Sequence, residues 1–572
     1  MSLDRIISIY DFIVKDILRD KLGIYPDTTF ADFAKHKAEV VGNKNYMTFI
    51  RDFDKGIDET YTYRDMHIKS NKIGNGLRKL GVTSGDGIAL MDFNSPEFLL
   101  TVFSIFKIGG YVVFVNTMLK GEGLQYIIDH SDSKILIIHW SLLERYLKIK
   151  SKLPKIQKVI VDLNEAPNNF SLPEGIYSLQ KLMESSDEDI ESDINPKNIS
   201  FLMYTSGTTG LPKAVTGFYG GSFYGDGLFI PTIMGYGQGQ RGDTLYTCLP
   251  LFHSNGFFNT ALAGYFNEFP VVISKKFSAS RFWNIIRKYG VTNFNLLGSM
   301  PLFLLKQPER PNDRDNKVRR INTLACPKEI IKNFEERFGV KVYESYGATD
   351  GGGFGLGTYE RRHENPPIGT MGKPQGNLVA EILDTEGNIM KPGEVGELVF
   401  FVSSTGAQQD LKRRKVTYYK DEKASQNKIK KGNDGKFWFH TGDLATKDED
   451  GWFFFVDRKR DSIRRRGENI AAWSVERIIN KHDKVLESAA FGVKSSEYAE
   501  DEVMVAVVLK PEESMTPEEL LYFLEDKLAE FMIPRFIAFV EKLPKNEVHR
   551  LMKRFLKDRG VTETTYDREN PR

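Results

Sequence analysis

Between Gly87 and Tyr204, short apolar runs alternate with stretches of helical periodicity, and no other feature narrows the fold as much. The runs are Gly87 to Met91, Tyr111 to Val115, Lys134 to His139, Lys158 to Asp162 and Ile199 to Tyr204. Strand-sized apolar runs separated by helices are the habit of a doubly wound α/β sheet. The longest apolar stretch, Phe98 to Val115, is interrupted by Lys107 and by Gly109-Gly110. It therefore reads as a helix, a turn and a buried strand, and not as a bilayer span, which needs about 20 uninterrupted residues.

A chain of 572 residues is too long for one core, so two to four folding units are expected at about 100–200 residues each. The 79 basic and 77 acidic side chains leave a formal charge of only +2. No global field is available to draw in nucleic acid or an anionic membrane, so any anion must be held locally. Cys248 and Cys326 lie far apart, which argues against a disulfide framework or a four-thiolate zinc site and for a reducing compartment. Met1 to Lys15 carries Asp4, Arg5 and Asp11 among its apolar residues and has no h-region, so the expected location is cytoplasmic, without integral membrane association.

The acidic, serine-rich segment from Met183 to Asp193 reads as a solvated connector separating two lobes. From about Gly369 to Phe455 the texture changes to short strands and glycine turns, predicting a β-rich subdomain. Lys412 to Lys431, with Asp421 and Glu422 inside it, reads as a solvated loop. From about Asp461 a small α+β domain is expected, with strands at Ser488 to Val493 and Glu502 to Leu509. Its helix start is marked by Thr516, Pro517 and Glu519 ahead of Leu520, Leu524, Leu528 and Phe531.

The most informative string is Thr205-Ser206-Gly207-Thr208-Thr209-Gly210-Leu211-Pro212-Lys213, directly after the strand Ile199 to Tyr204. Hydroxyl and glycine residues in a row let backbone amides turn inward, and a following lysine adds a point charge, as a triphosphate cradle requires. The spacing is not that of a Walker loop. The whole string resembles the signature of the adenylate-forming superfamily of acyl-CoA synthetases, luciferase-like enzymes and peptide-synthetase adenylation domains. The resemblance continues in the family's order over nearly the whole chain, through Tyr346-Gly347-Ala348-Thr349-Asp350, Thr441-Gly442-Asp443 and Asp457-Arg458-Lys459-Arg460-Asp461.

That resemblance implies a large N-terminal domain over 1–456, containing doubly wound sheets and a β-rich subdomain at about 369–456. It further implies a hinge at 457–460 centred on Arg460, and a mobile C-terminal lid over 461–572. By resemblance, Thr205 to Gly210 with Lys213 cradle ATP, Tyr346 and Gly347 border adenine, Asp443 and Arg458 hold the ribose, and Thr205 and Asp350 face magnesium. Thr349 and Asp350 would sit beside the reacting carboxylate. Asp350 is one methylene shorter than the family's usual glutamate, which makes water-mediated contact with the metal the expectation. Gly351 to Gly353 fit either a loose turn or a backbone that approaches the acyl group closely.

Leu249-Pro250-Leu251-Phe252-His253-Ser254-Asn255-Gly256 resembles the segment bounding the acyl pocket in acyl-CoA synthetases, with His253 either structural or gating. Amino-acid-activating relatives carry an aspartate there, so its absence disfavours an amino-acid substrate. Leu296 to Leu305 is either pocket wall or core. Together with Lys306-Gln307-Pro308, Asn312 to Asn316, Arg466-Gly467-Glu468-Asn469-Ile470 and Gly560 to Glu569, it looks most like the crotonobetaine/carnitine-CoA ligase branch.

The family reaction joins a small-molecule carboxylic acid to ATP as an acyl-adenylate, then passes the acyl group to coenzyme A. Adenylation needs a cation between carboxylate and α-phosphate, a task worth ~3 kcal/mol by analogy with one oxyanion donor. The family supplies a lysine. Ungapped alignment of Leu543 to Lys553 puts Arg550 at that position, with Lys545 and Lys553 as alternatives if the loop shifts. Arginine keeps the charge but is planar and bulkier. The resemblance thus implies an acid-thiol ligase; the Arg550 and Asp350 exchanges keep open a nucleotide- or acyl-binding protein with impaired adenylation. A homodimer is compatible with either.

Overall fold

The computed structural model describes residues 28–570 except 192–193, 206–211, 220–241, 299, 325, 348, 352–354, 359–365, 375–377, 405–417, 459–461, 466–467, 495–500, 526, 529 and 546–550. The expected α/β class is borne out. One sheet has seven strands in the spatial order Tyr177–Ser178, Lys158–Asp162, Ser133–His139, Gly87–Met91, Tyr111–Phe114, Ile199–Thr205, Lys213–Phe218. All neighbours are parallel except the last pair. A second sheet of nine strands has a parallel centre running from Asn45–Asp52 through Val271–Ser274, Leu245–Thr247, Asn293–Leu297 and Arg320–Leu324 to Val342–Gly347.

The helix Pro96–Lys107 shows why its apolar run is continuous. Every one of its residues is buried, because it lies in the core shared with strands of both sheets and with the helices Phe30–Val40 and Tyr63–Lys79. Ser95 caps it by accepting from Phe98 N at 3.0 Å, with Pro96 at the first helical position. Aromatic rings fill the same layer: Phe30 meets Phe103 edge-on at 5.1 Å and Phe33 stacks on Phe266 at 4.7 Å.

Two loop readings are corrected. The acidic segment does not separate two lobes, since the strands before and after it, Tyr177–Ser178 and Ile199–Thr205, belong to the same seven-stranded sheet. Its backbone carbonyls are captured by the helix Tyr63–Lys79: Asn71 donates to Asp187 O, Asn75 to Ser186 O and Glu188 O, and Arg78 to Glu191 O. The lysine-rich run is not a loop at its C-terminal end, where the helix Glu422–Gln426 and the strand Ile429–Lys431 form. Asp421 caps that helix by accepting from Ala424 N at 2.9 Å.

An antiparallel five-stranded sheet follows, built from Ala380–Leu383, Gly396–Ser403, Phe437–Lys447, Ile429–Lys431 and Phe453–Arg458. Beyond it lie the hairpin Ser462–Arg465/Glu468–Ala471 and a four-stranded sheet with Val485–Lys494 and Asp501–Leu509 at its start. The helix Pro517–Glu525 begins as the capping signal predicts, with Glu519 N donating to Thr516 Oγ1 at 3.2 Å and Leu520 and Leu524 buried.

Gly372 joins the nine- and five-stranded sheets. It bridges to Phe453, and Lys373 next to it pairs with Gly357. Its φ is +99°, and an added Cβ would lie 2.1 Å from the Gly357 carbonyl carbon. Gly372→Ala is expected to lower the unfolding free energy by at least about 3 kcal/mol through strain and backbone collision. Chemical denaturation checks this; an unchanged midpoint would contradict the packing at this joint.

Candidate active site

Three elements converge where the nine-stranded and five-stranded sheets meet. The strand Val342–Gly347 carries Tyr346 as its penultimate residue and is followed by the tight turn Thr349–Gly351, which carries Asp350. On the other side, Thr441-Gly442-Asp443 forms a bulge in the strand Phe437–Lys447. Glu397 pairs with Leu444 and Val399 with His440, so three residues stand opposite Leu398 alone. Bulges re-aim side chains, and this one is held firmly. Thr441 Oγ1 donates to Leu398 O at 2.7 Å, Asp443 N to Thr441 Oγ1 at 3.1 Å and Gly442 N to Glu397 Oε1 at 3.0 Å, while His440 Nδ1 lies 3.0 Å from Glu397 Oε2. Gly442 takes a φ of +82°, which suits glycine.

The bulge turns Asp443 toward Tyr346, whose hydroxyl donates to Asp443 Oδ2 at 2.5 Å. Burial, then the Asp443 carboxylate, push the Tyr346 phenol well above its ordinary pKa, so the phenol stays a donor at neutral pH. The backbone of Arg458 pairs with Asp443 in the neighbouring strand. Sequence reading singled out both partners but not Glu397, the clamp beneath them. A lone glutamate early in a strand carries no signal of that role.

Asp350 is engaged on one oxygen, Oδ2, by Lys428 Nζ at 2.8 Å and by the Tyr418 hydroxyl. Lys428 Nζ also donates to Thr441 O at 3.3 Å. Tyr418 is fixed in turn by Ser425, whose Oγ accepts from its backbone N at 2.8 Å. Neither Lys428 nor Tyr418 was anticipated, because both lie in or beside the run read as a loop.

Thr205 and Lys213 face each other across the antiparallel end of the seven-stranded sheet. Thr205 Oγ1 lies 3.4 Å from Lys213 O. Lys213 Nζ lies 3.3 Å from Asp421 Oδ2 and 5.3 Å from the centre of the Tyr418 ring. Ser206, Gly207, Thr208, Thr209 and Gly210 lie outside the described residues, as do Arg460 and Arg550. The structure thus brings the ends of the cradle, Tyr418 and Asp350 to one place.

The segment around His253 is stapled by Asn94, which donates to Leu249 O and Ser274 O at 2.9 and 3.0 Å and accepts from Leu251 N at 2.8 Å. His253 precedes the short helix Ser254–Gly256 and the π-helical turn Phe257–Leu262, a wide turn frequent at functional sites. Its Nε2 is buried without a hydrogen-bond partner among the described residues, and burial lowers its pKa to about 4. The ring is therefore neutral at pH 7.

Among the described residues no cluster of three or more His, Cys, Asp or Glu side chains could hold a metal, and no helix is long and apolar enough to cross a membrane. Asp350 can still serve a metal that arrives on a triphosphate. Its second oxygen has no hydrogen-bond partner among the described residues, and magnesium characteristically takes one or two carboxylates while keeping waters and phosphate oxygens.

Fold and site together define a two-domain adenylate-forming enzyme. The chain belongs to the AMP-binding enzyme family, whose model matches residues 35–405, with the AMP-binding enzyme C-terminal domain matched over 474–550. It is 28% identical over 528 residues to a crotonobetaine/carnitine–CoA ligase of Salmonella paratyphi A, covering 91% of this chain and 97% of that one. The crystal structure of an anthranilate CoA ligase in complex with anthranoyl-AMP superposes with a TM-score of 0.77 at 20% identity, covering 94% of this chain and 98% of that one. The o-succinylbenzoate coenzyme A synthetase of Bacillus subtilis, in complex with ATP and magnesium ion, gives 0.75 at 23% identity, covering 93% and 100%.

The neutral state of His253 has a measurable consequence. Its folded pKa lies below the unfolded value, so the unfolded chain binds an extra proton as pH falls from about 6.5 towards 4, and stability is lost across that window. In His253→Phe the loss of unfolding free energy between pH 7 and pH 5 should shrink by about 1–2 kcal/mol. Denaturation curves at the two pH values check this; equal losses in both proteins would contradict it.

Proposed function

We propose that this AMP-binding enzyme is an ATP-dependent carboxylic acid–CoA ligase that forms an acyl-adenylate, releases pyrophosphate and transfers the acyl group to coenzyme A with release of AMP. The observation that carries the reading is the joining of Tyr346, Asp443 and Asp350 into one site whose paired carboxylates and cations match the chemistry of a nucleotide. Acid–thiol ligation is the activity named for the curated relatives and for the solved neighbours.

In this reading Asp443 accepts from the ribose hydroxyls with Arg458 donating near the same sugar, and Tyr346 and Gly347 border the adenine. Thr205 to Gly210 and Lys213 cradle the phosphates. Asp350, with Thr205, faces magnesium, which when bound offsets the repulsion between the carboxylate and the triphosphate. Thr349 stands beside the reacting carboxylate, and neutral His253 borders the acyl group without adding charge.

Arg550 supplies the cation of the adenylation step. The two lysines that could replace it are committed elsewhere: Lys545 pairs with Glu487, and Lys553 Nζ lies 2.9 Å from Glu476 Oε1. The division into a large domain over 1–456, a hinge at 457–460 turning on Arg460 and a lid over 461–572 belongs to the same reading. So does a cytoplasmic location, supported by the unpaired thiols of Cys248 and Cys326. The acid is of the polar short-chain class named for the curated relatives, crotonobetaine and carnitine.

Acid-dependent exchange of pyrophosphate into ATP tests the first half-reaction, across carboxylates from acetate through carnitine and crotonobetaine to long-chain acids. Exchange should require one class of acid and fall about 100-fold in Arg550→Ala, the loss of one preorganised charge in the transition state. Absence of exchange with every acid, while ATP still binds, would replace this reading by the nucleotide-binding scaffold.

A further inference from the structure

Lys428 has no place in the reading above, yet it lies at the centre of the site. Its ammonium spans two groups to which different duties fall: Asp350 Oδ2 at 2.8 Å, on the side assigned to the metal and phosphates, and Thr441 O at 3.3 Å, two residues before the ribose-side Asp443. Its side chain is 18% exposed, so the charge is held in place without being sealed off. An ammonium has three N–H donors. Asp350 and Thr441 take two; Nζ also lies 5.2 Å from the centre of the Phe439 ring, and the third N–H has no hydrogen-bond partner among the described residues.

In a nucleotide the α-phosphate is the first group beyond the 5′ carbon of the ribose. A cation between the ribose carboxylate and the metal carboxylate therefore falls where the α-phosphate must lie. We propose that Lys428 is a substrate-binding residue of the large domain that donates its third N–H to the α-phosphate. The inference rests on the adenylation reading and adds a second cation to it. Unlike Arg550, Lys428 is carried by the strand system of the five-stranded sheet, one residue before Ile429–Lys431. It requires no movement of the C-terminal domain and serves bound ATP, the acyl-adenylate and AMP alike.

The anchor has a signature that a purely structural counter-ion to Asp350 lacks, namely selectivity for the phosphate. Titration calorimetry on the full chain, with AMP and with adenosine as probes, compares wild type, Lys428→Met and Lys428→Arg. Lys428→Met should bind AMP about tenfold or more weakly, the loss of one charged hydrogen bond, while adenosine affinity stays at the wild-type level, which also shows the site is folded. Lys428→Arg should recover most of the AMP affinity. Unchanged AMP affinity in Lys428→Met, or equal weakening of AMP and adenosine, would overturn the proposal. A wild type that binds AMP no better than adenosine would also overturn it, and leaves the adenylation reading to the exchange assay.

Discussion

The Tyr346 to Asp443 hydrogen bond is the contact on which the site depends. Tyr346 lies near the end of a strand in the parallel centre of the nine-stranded sheet, and Asp443 sits in a bulge of the five-stranded antiparallel sheet. Neither sheet alone presents the candidate site. Gly372, where the chain passes between the two with a backbone distance no Cβ would tolerate, fixes how they meet. The Glu397 clamp under Thr441-Gly442 keeps Asp443 aimed before any ligand arrives. Preorganisation of this kind matters because charged groups placed in advance cost little reorganisation when the reaction takes place.

Charge is distributed with the same economy. The chain is almost neutral overall, so anions are met by local cations, each with a resident partner: Lys213 with Asp421, Lys428 with Asp350. Pairing holds each lysine in a fixed orientation in the absence of substrate. It also separates two tasks. In the proposed function, cations on the large domain would stay with the nucleotide throughout, whereas Arg550, in the C-terminal segment, would serve one half-reaction.

Much of this was legible in the sequence. Strand runs such as Gly87 to Met91 and Lys158 to Asp162 appear with the expected bounds because parallel strands buried on both faces carry near-continuous apolar runs, here Ile88 to Met91 and Val159 to Val161. Tyr346, Asp350 and Asp443 stand out because the strings that hold them resemble motifs of the adenylate-forming family. What stayed hidden depends on contacts distant in sequence. Glu397 becomes a clamp only through strand pairing with a segment more than forty residues on. Lys428 sits among lysines that look solvated, and only the strand Ile429–Lys431 beside it brings it to Asp350. The connector 183–191 looked free because acidic side chains dominate it, whereas its attachment runs through backbone carbonyls that no side-chain pattern reveals.

Coupling of ATP cleavage to thioester formation is the activity on which the proposed function stands or falls. The most direct measurement is mass spectrometry of a reaction containing the purified protein, ATP, magnesium, coenzyme A and either crotonobetaine or carnitine. An acyl-CoA thioester and AMP are expected in equal amounts, both dependent on the acid. Production of ADP in place of AMP, or AMP without any thioester under saturating coenzyme A and a range of acids, would contradict it.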